Sequence, residues 1–384
     1  MTELNRDHSA GVGATRLAAL RRHLASLNAD PARTGSIDAI LITQADNRRY
    51  LTGFTGSAGQ VLVSATDAVI FTDFRYVEQA SVQAPAFTVV QPEGSPWVAI
   101  ARRASQHGVA HLAIESDDMT VDGHQRLVAS MAEHAPGCAI VGESGLLVPL
   151  RQVKDASEVE KIRRAVLIGD RAIETVTAGL RPGMTEREIA WRLEVVMREA
   201  GATGLSFPTI VASGPNGAMP HHRPGNREIQ VGDPIVIDMG CVVDGYCSDM
   251  TRTVVVGEPD ATFWNVYRTV LSAQLVCEDG LRAGMTGKEA DALARDTIGR
   301  AGFDPVVSFG HSTGHGVGMA IHEPPWLSSS ERGSARIPVG AVVTVEPGIY
   351  LPGWGGVRIE DIVVVGEQRC QVLTTAHKQP VVAG

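Results

Sequence analysis

Gly179-Leu180-Arg181-Pro182-Gly183-Met184-Thr185 returns later in the chain as Gly280-Leu281-Arg282-Ala283-Gly284-Met285-Thr286. In both copies the threonine opens a T-x-x-E pattern, Thr185 with Glu188 and Thr286 with Glu289. That pattern predicts a capping box, so a helix starts at the same place twice. Each predicted helix runs into a Gly-containing turn and then Ser-Phe, at Ser206-Phe207 and Ser308-Phe309. Gly217-x-x-x-His221-x-x-Pro224 is matched by Gly318-x-x-x-His322-x-x-Pro325. Val231-Gly232 precedes an apolar strand ending Asp238-Met239-Gly240, and Val339-Gly340 precedes one ending Glu346-Pro347-Gly348. Echoes in the same order imply two similar halves about a pseudo-two-fold axis. The acidic strand ends Asp238 and Glu346 should then meet at the centre.

The chemistry lies on the strands of this repeat. Residues 235–255 read as two strands joined by an Asp244-Gly245 turn, a strong short hairpin signal. A two-residue turn sets Asp249 opposite Gly240, which makes Asp238 its diagonal neighbour on the same face. Strand-end acids are usually solvated, and a pair on one face repels. Here the flanking residues Ile235, Val236, Ile237, Val254 and Val255 are apolar, so the face should be buried, and buried like charges need a cation. Residues 342–346 and 357–365 form the matching pair, with Pro352, Gly353, Gly355 and Gly356 in the turn, and Glu346 can face Glu360 across it. Two aspartates and two glutamates converging on one point suit two divalent ions sharing bridging carboxylates. A further ligand is expected from the strip Gly310 to Gly318, too glycine-rich for a helix and able to bring backbone close to a site. A lone histidine is usually structural, but His311, His315 and His322 fall close together beside these glycines.

Working outward, 384 residues predict two domains. Short apolar strands at residues 39–42, 61–63, 68–71 and 111–114 alternate with helical stretches at 16–26, 76–83 and 122–133, an α/β pattern. Leu17, Leu20 and Leu24 form one face of the first helix. The pattern breaks into a polar connection around residues 148–155, which places the domains at 15–148 and 155–384. Residues 1–14 read as a disordered lead-in with no apolar core, hence no signal peptide. A net charge of −9 without a Lys/Arg run argues against nucleic acid, and no apolar run suits a membrane span. Five scattered cysteines without a CxxC fit a reduced, cytoplasmic chain. Nucleotide loops, a Walker lysine and a G-x-S-x-G elbow are absent.

The strings VIDMGCVVDGYCSDMTRT (236–253), HSTGHGVGMAIHEPP (311–325), VEPGIY (345–350) and GGVRIED (355–361) closely resemble the aminopeptidase P/prolidase/creatinase family. NRRYLTGFTGSAG (47–59) and TDFRY (72–76) resemble its creatinase-type N-terminal domain. The resemblance implies an α/β N-terminal domain followed by an α+β catalytic domain of pita-bread fold. It also implies metal ligation by Asp238, Asp249, His315, Glu346 and Glu360. Asp249 and Glu360 would bridge, and His315 would bind one metal only. Glu346 would also shuttle the proton, and His221, His311, His322 and Arg358 would complete the catalytic set. Many relatives carry Gly where this chain has His222, which leaves the pocket shape open there.

By the same resemblance the chain is a metallopeptidase that releases the residue before a proline. Two divalent ions, Mn²⁺ by ligand type with Zn²⁺ or Co²⁺ also able to fit, activate water and polarise the carbonyl. His322 would donate to the oxyanion, and Glu346 would deliver the proton to the leaving nitrogen. Proline-containing peptides are the expected partners, and a homodimer the expected assembly. An Xaa-Pro dipeptidase shares the same ligands and stays open beside the Xaa-Pro aminopeptidase. Dipeptide substrates would require a cation at the proline carboxylate. A metal-free creatinase-like hydrolase would not need the full ligand set, and a catalytically dead binding module should have lost part of it.

Overall fold

The computed structural model describes residues 3–33 and 35–382. The chain divides into two compact units between Arg151 and Gln152. The first holds one six-stranded sheet, in the order Thr88–Val90, Ala68–Phe71, Gln60–Ser64, Ala39–Ile42, His111–Glu115 and Ala139–Glu143. The pairs among Ala39–Ile42, Gln60–Ser64 and Ala68–Phe71 are antiparallel, and the outer pairs are parallel. Helices Pro96–Gln106 and Val121–His134 pack Ile100, Ala104, Leu127 and Met131 against Leu41, Leu62 and Leu112.

One expectation needs correction here. The first helix runs over Glu3–Asn28, so most of the expected disordered lead-in is helical; Met1 and Thr2 lie outside the described residues. Gly11 and Gly13 lower helix propensity and hide this segment from a local reading. The apolar face expected further on is correct, since Leu17, Leu20 and Leu24 are all buried. A second helix, Ala45–Thr52, overlaps the start of the family-like string 47–59 and ends at Gly53, whose φ of 78° suits a left-handed cap.

The second unit is built from the repeat. Helices Glu186–Glu199 and Gly287–Arg300 begin directly after Thr185 and Thr286, whose hydroxyls accept from the Glu188 and Glu289 amides. Only the second copy closes the capping box; in the first, the Glu188 carboxylate turns to Arg192 instead. Each helix is preceded by a longer one, Ala156–Thr177 and Ala261–Gly280. The two helix pairs cover two separate cores, one containing Ile173, Leu193 and Ile237, the other Phe263, Ala294 and Val343. Helix Ala156–Thr177 opens on a complete capping box between Asp155 and Glu158. Asp155→Ala should therefore cost about 1 kcal/mol of stability, read as a lower denaturant midpoint at unchanged m-value.

The hairpin registers carry the acids to their places. Strands Ile235–Met239 and Met250–Val256 pair with Thr251 opposite Asp238, while Cys241–Val243 and Tyr246–Cys247 pair with Val243 opposite Tyr246. Both registers continue into Asp249 opposite Gly240, as the two-residue turn requires. That turn has φ of 51° at Asp244 and 84° at Gly245, the backbone of a type I′ turn. In the second half Val345 pairs with Asp361, and Gly348 pairs with Arg358, which sets Glu346 opposite Glu360. Among the described residues, no helix is long and apolar enough to cross a membrane.

Candidate metal centre

Asp238, Asp249, His315, Glu346 and Glu360 line one cavity of about 310 Å³ in the second unit. Asp249, His315 and Glu360 each offer a ligand atom within 4.8 Å of the others, and all three are buried. His315 Nε2 lies 3.3 Å from a Glu346 oxygen and 3.6 Å from an Asp249 oxygen. Strand Gly314–Gly316 brings it there by passing unusually close to its neighbours. A Cβ added at Gly314 would strike the Thr344 carbonyl, and one at Gly316 the Pro324 carbonyl.

The electrostatics of this cluster call for a cation. Burial pushes the Asp249 and Glu360 carboxyls well above the usual range, and the neighbouring carboxylates push them further. Glu346 is pushed up to about 7, burial again leading. Asp238 Oδ1 and Glu360 Oε1 are buried without a hydrogen-bond partner. The opposite oxygens are held firmly, Asp238 Oδ2 by Arg358 at 2.6 Å and Glu360 Oε2 by Thr251 Oγ1 at 2.6 Å. Arg252 also fixes the Glu360 backbone, donating to its carbonyl at 2.7 Å. His315 Nδ1 lies 3.1 Å from the Gly316 carbonyl, which can only accept. Burial lowers the pKa of this imidazole and keeps it neutral, so Nε2 presents a lone pair to carboxylate oxygens. Acceptors facing acceptors in a desolvated site fit a metal and little else.

The remaining predicted residues gather around the same cavity. Arg358 ties Asp238 to the Tyr350 hydroxyl, which lies 2.7 Å from Arg358 Nη1 and 2.8 Å from His311 Nε2. A guanidinium only donates, so the tyrosine accepts from Arg358 and passes its own hydrogen to His311. His311 Nδ1 donates to the Ser312 carbonyl at 2.8 Å. Burial, aided by the Arg358 charge, holds His311 down to about 3, consistent with this neutral tautomer. His322 sits edge-on to His315 with ring centroids 4.4 Å apart, and His221 lines the same cavity.

Two residues in this architecture are not marked by any local sequence motif. Tyr350 ends the string VEPGIY and follows Gly348 on alternate strand positions, so it shares its face. Glu186 follows an N-cap threonine and looks like an ordinary first-turn acid. In the fold it accepts from His222 Nε2 at 2.9 Å and anchors the loop that carries His221. The repeat position matching Glu186 is Gly287, so comparing the two copies flags it as asymmetric.

The sequence pattern of metallopeptidase family M24 matches residues 160–367. That is more than half the chain. The chain belongs to metallopeptidase family M24. The creatinase/prolidase N-terminal domain pattern matches residues 16–180. An uncharacterized peptidase of Bacillus subtilis is 42% identical over 90% of this chain and 96% of its own length. The solved Xaa-Pro dipeptidase from Bacillus anthracis is 40% identical with a TM-score of 0.89, covering 96% of this chain and 99% of that one. The X-Pro aminopeptidase from Thermotoga maritima is 37% identical with a TM-score of 0.83, covering 91% and 98% respectively. The second unit of this M24 chain is thus a pita-bread catalytic domain, and family membership implies hydrolysis with divalent metal.

Proposed function

We propose that this M24 chain is a dinuclear, metal-dependent Xaa-Pro aminopeptidase. The observation that carries the metal reading is the pair of orphaned buried oxygens, Asp238 Oδ1 and Glu360 Oε1, in a cluster of four carboxylates around a neutral imidazole. Asp238, Asp249, His315, Glu346 and Glu360 would hold two divalent ions, with Asp249 and Glu360 shared between them and His315 serving one. Oxygen-rich ligation favours Mn²⁺ over Zn²⁺ or Co²⁺. When bound, the metal pair supplies a Lewis acid for the scissile carbonyl and acidifies the attacking water.

The chain's own residues do the rest. His322 donates a hydrogen bond to the developing oxyanion. Glu346, whose carboxyl is pushed up to about 7, is tuned to carry a proton to the leaving nitrogen near neutral pH. Arg358 and Tyr350 hold Asp238 and His311 in place. The proline nitrogen of an Xaa-Pro bond carries no hydrogen, so a site that reads an amide N–H cannot use it. By resemblance, the proposal extends to a cytoplasmic homodimer.

The second reading, an Xaa-Pro dipeptidase, is favoured by the likeness to the Bacillus anthracis enzyme. Substrate length separates the two. An Xaa-Pro-Yaa tripeptide should be hydrolysed with kcat/KM at least comparable to that of the Xaa-Pro dipeptide. Cleavage of dipeptides alone would establish the dipeptidase.

A further inference from the structure

Two arginines line the catalytic cavity, and they are in opposite situations. Arg358 is buried and fully engaged, with bonds to Asp238 at 2.6 Å, Tyr350 at 2.7 Å and Thr251 at 3.0 Å. Arg223 is exposed, and its guanidinium has no hydrogen-bond or ion-pair partner among the described residues.

The backbone on both sides of Arg223 is nevertheless fixed. Glu186 Oε2 accepts from His222 Nε2 at 2.9 Å and from the Gly225 amide at 3.1 Å. Glu186 Oε1 accepts from the Ser213 amide at 2.9 Å, the Ser213 hydroxyl at 2.8 Å and Asn216 Nδ2 at 2.9 Å. Burial alone would raise the pKa of this acid, but these hydrogen bonds hold it below its usual value, so it stays a carboxylate. One buried carboxylate therefore pins the loop before and after Arg223, and Pro224 stiffens it further. A rigid backbone carrying an unspent cation is the arrangement expected of a binding residue rather than a structural one.

The pseudo-symmetry sharpens the point. Aligning His221 with His322 sets His222 against Glu323 and Arg223 against Pro324. The charge on that second loop is spent internally, since Glu323 pairs with the buried Lys154 at 2.7 Å. Of the two matching loops, only the first offers the cavity a charge without a partner among the described residues.

We propose that Arg223 binds the free C-terminal carboxylate of the substrate, so that short peptides are preferred over long or amidated ones. The proposal rests on the peptidase reading above and names the substrate end that this site recognises. A guanidinium fork matches a carboxylate in two parallel hydrogen bonds. That carboxylate can belong to the proline of an Xaa-Pro dipeptide or to the third residue of an Xaa-Pro-Yaa tripeptide.

Steady-state kinetics on both peptides and on their C-terminal amides tests this, with the wild-type enzyme, R223Q and R223K. R223Q should lower kcat/KM about tenfold on the free acid of the recognised length, through KM, and less than twofold on the amide. R223K should fall between, and the wild-type preference for acid over amide should shrink as ionic strength rises. The length at which the acid preference is larger identifies which carboxylate is read. Equal losses on acid and amide, or no loss on either, would overturn the proposal, because a purely structural role cannot distinguish the two. Binding of uncleavable reduced-bond analogues separates this question from the peptidase reading. If wild-type enzyme cleaves nothing yet binds acid over amide, and R223Q loses that preference, the peptidase reading fails and Arg223 stands. If wild type binds acid and amide alike, the assignment of Arg223 is overturned whatever the activity.

Discussion

Stripping the metal from this protein should reduce peptidase activity to background, and Mn²⁺ or Co²⁺ should restore it. The expectation follows from the desolvation of Asp249, Glu346 and Glu360 beside Asp238. Two like charges about 4 Å apart at an effective dielectric near 20 repel by roughly 4 kcal/mol, and several such pairs converge here. Without metal, the cluster must take up protons, which is why these carboxyls sit above their usual range. Restoring the metal should therefore release protons, measurable by calorimetry in buffers of different ionisation enthalpy. It should also raise thermal stability, by about 2.7 kcal/mol when free metal reaches a hundred times its Kd. Elemental analysis must accompany the activity assay, because tightly bound traces mimic independence from metal. Full activity in protein shown to be metal-free would falsify the metal reading, and saturation at one ion per chain would remove its dinuclear part.

The acids behind that prediction were legible because their positions depend on local rules. The Asp244-Gly245 turn has one favoured geometry, so counting residues from it gives the partner of every residue as far as Asp249. The repeat then transfers the same logic to Glu346 and Glu360, even though their connecting turn is longer. Glu186 and Tyr350 could not be read in this way. Glu186 acts through Ser213, Asn216, His222 and Gly225, which are distant in sequence, and nothing in a T-E-x-E string distinguishes it from a solvated first-turn acid. Tyr350 matters because Arg358 reaches it from the paired strand and His311 from the loop before strand Gly314–Gly316. The N-terminal helix was hidden for another reason: its first turns lack an apolar stripe, and the helix declares itself only where Leu17, Leu20 and Leu24 meet the core. Local periodicity thus located the strands and their acids, while long-range contacts determined which other polar groups matter.

Replacing His322 with alanine should leave metal content and the fold unchanged and lower kcat by roughly 10²–10³, about 3–4 kcal/mol, with little change in KM. His322 lines the cavity beside His315, but the proposed ligand set is complete without it. Burial, reinforced by the adjacent His315, lowers the pKa of its imidazole, so near neutral pH the ring is uncharged. An uncharged ring can still donate an N–H hydrogen bond, and it does so without adding a charge that would repel the metals. Such a donor gains strength as charge builds on the carbonyl oxygen, so its loss is felt in the transition state more than in the ground state. Glu346→Ala should behave differently, because Glu346 lies 3.3 Å from His315 Nε2 within the carboxylate cluster and its removal should cost metal occupancy as well as rate. Measuring metal content and kcat together on the two variants therefore separates the roles. Near-normal turnover in metal-replete His322→Ala enzyme would show that His322 only packs against His315, and the oxyanion donor would have to be sought among the other groups lining the cavity.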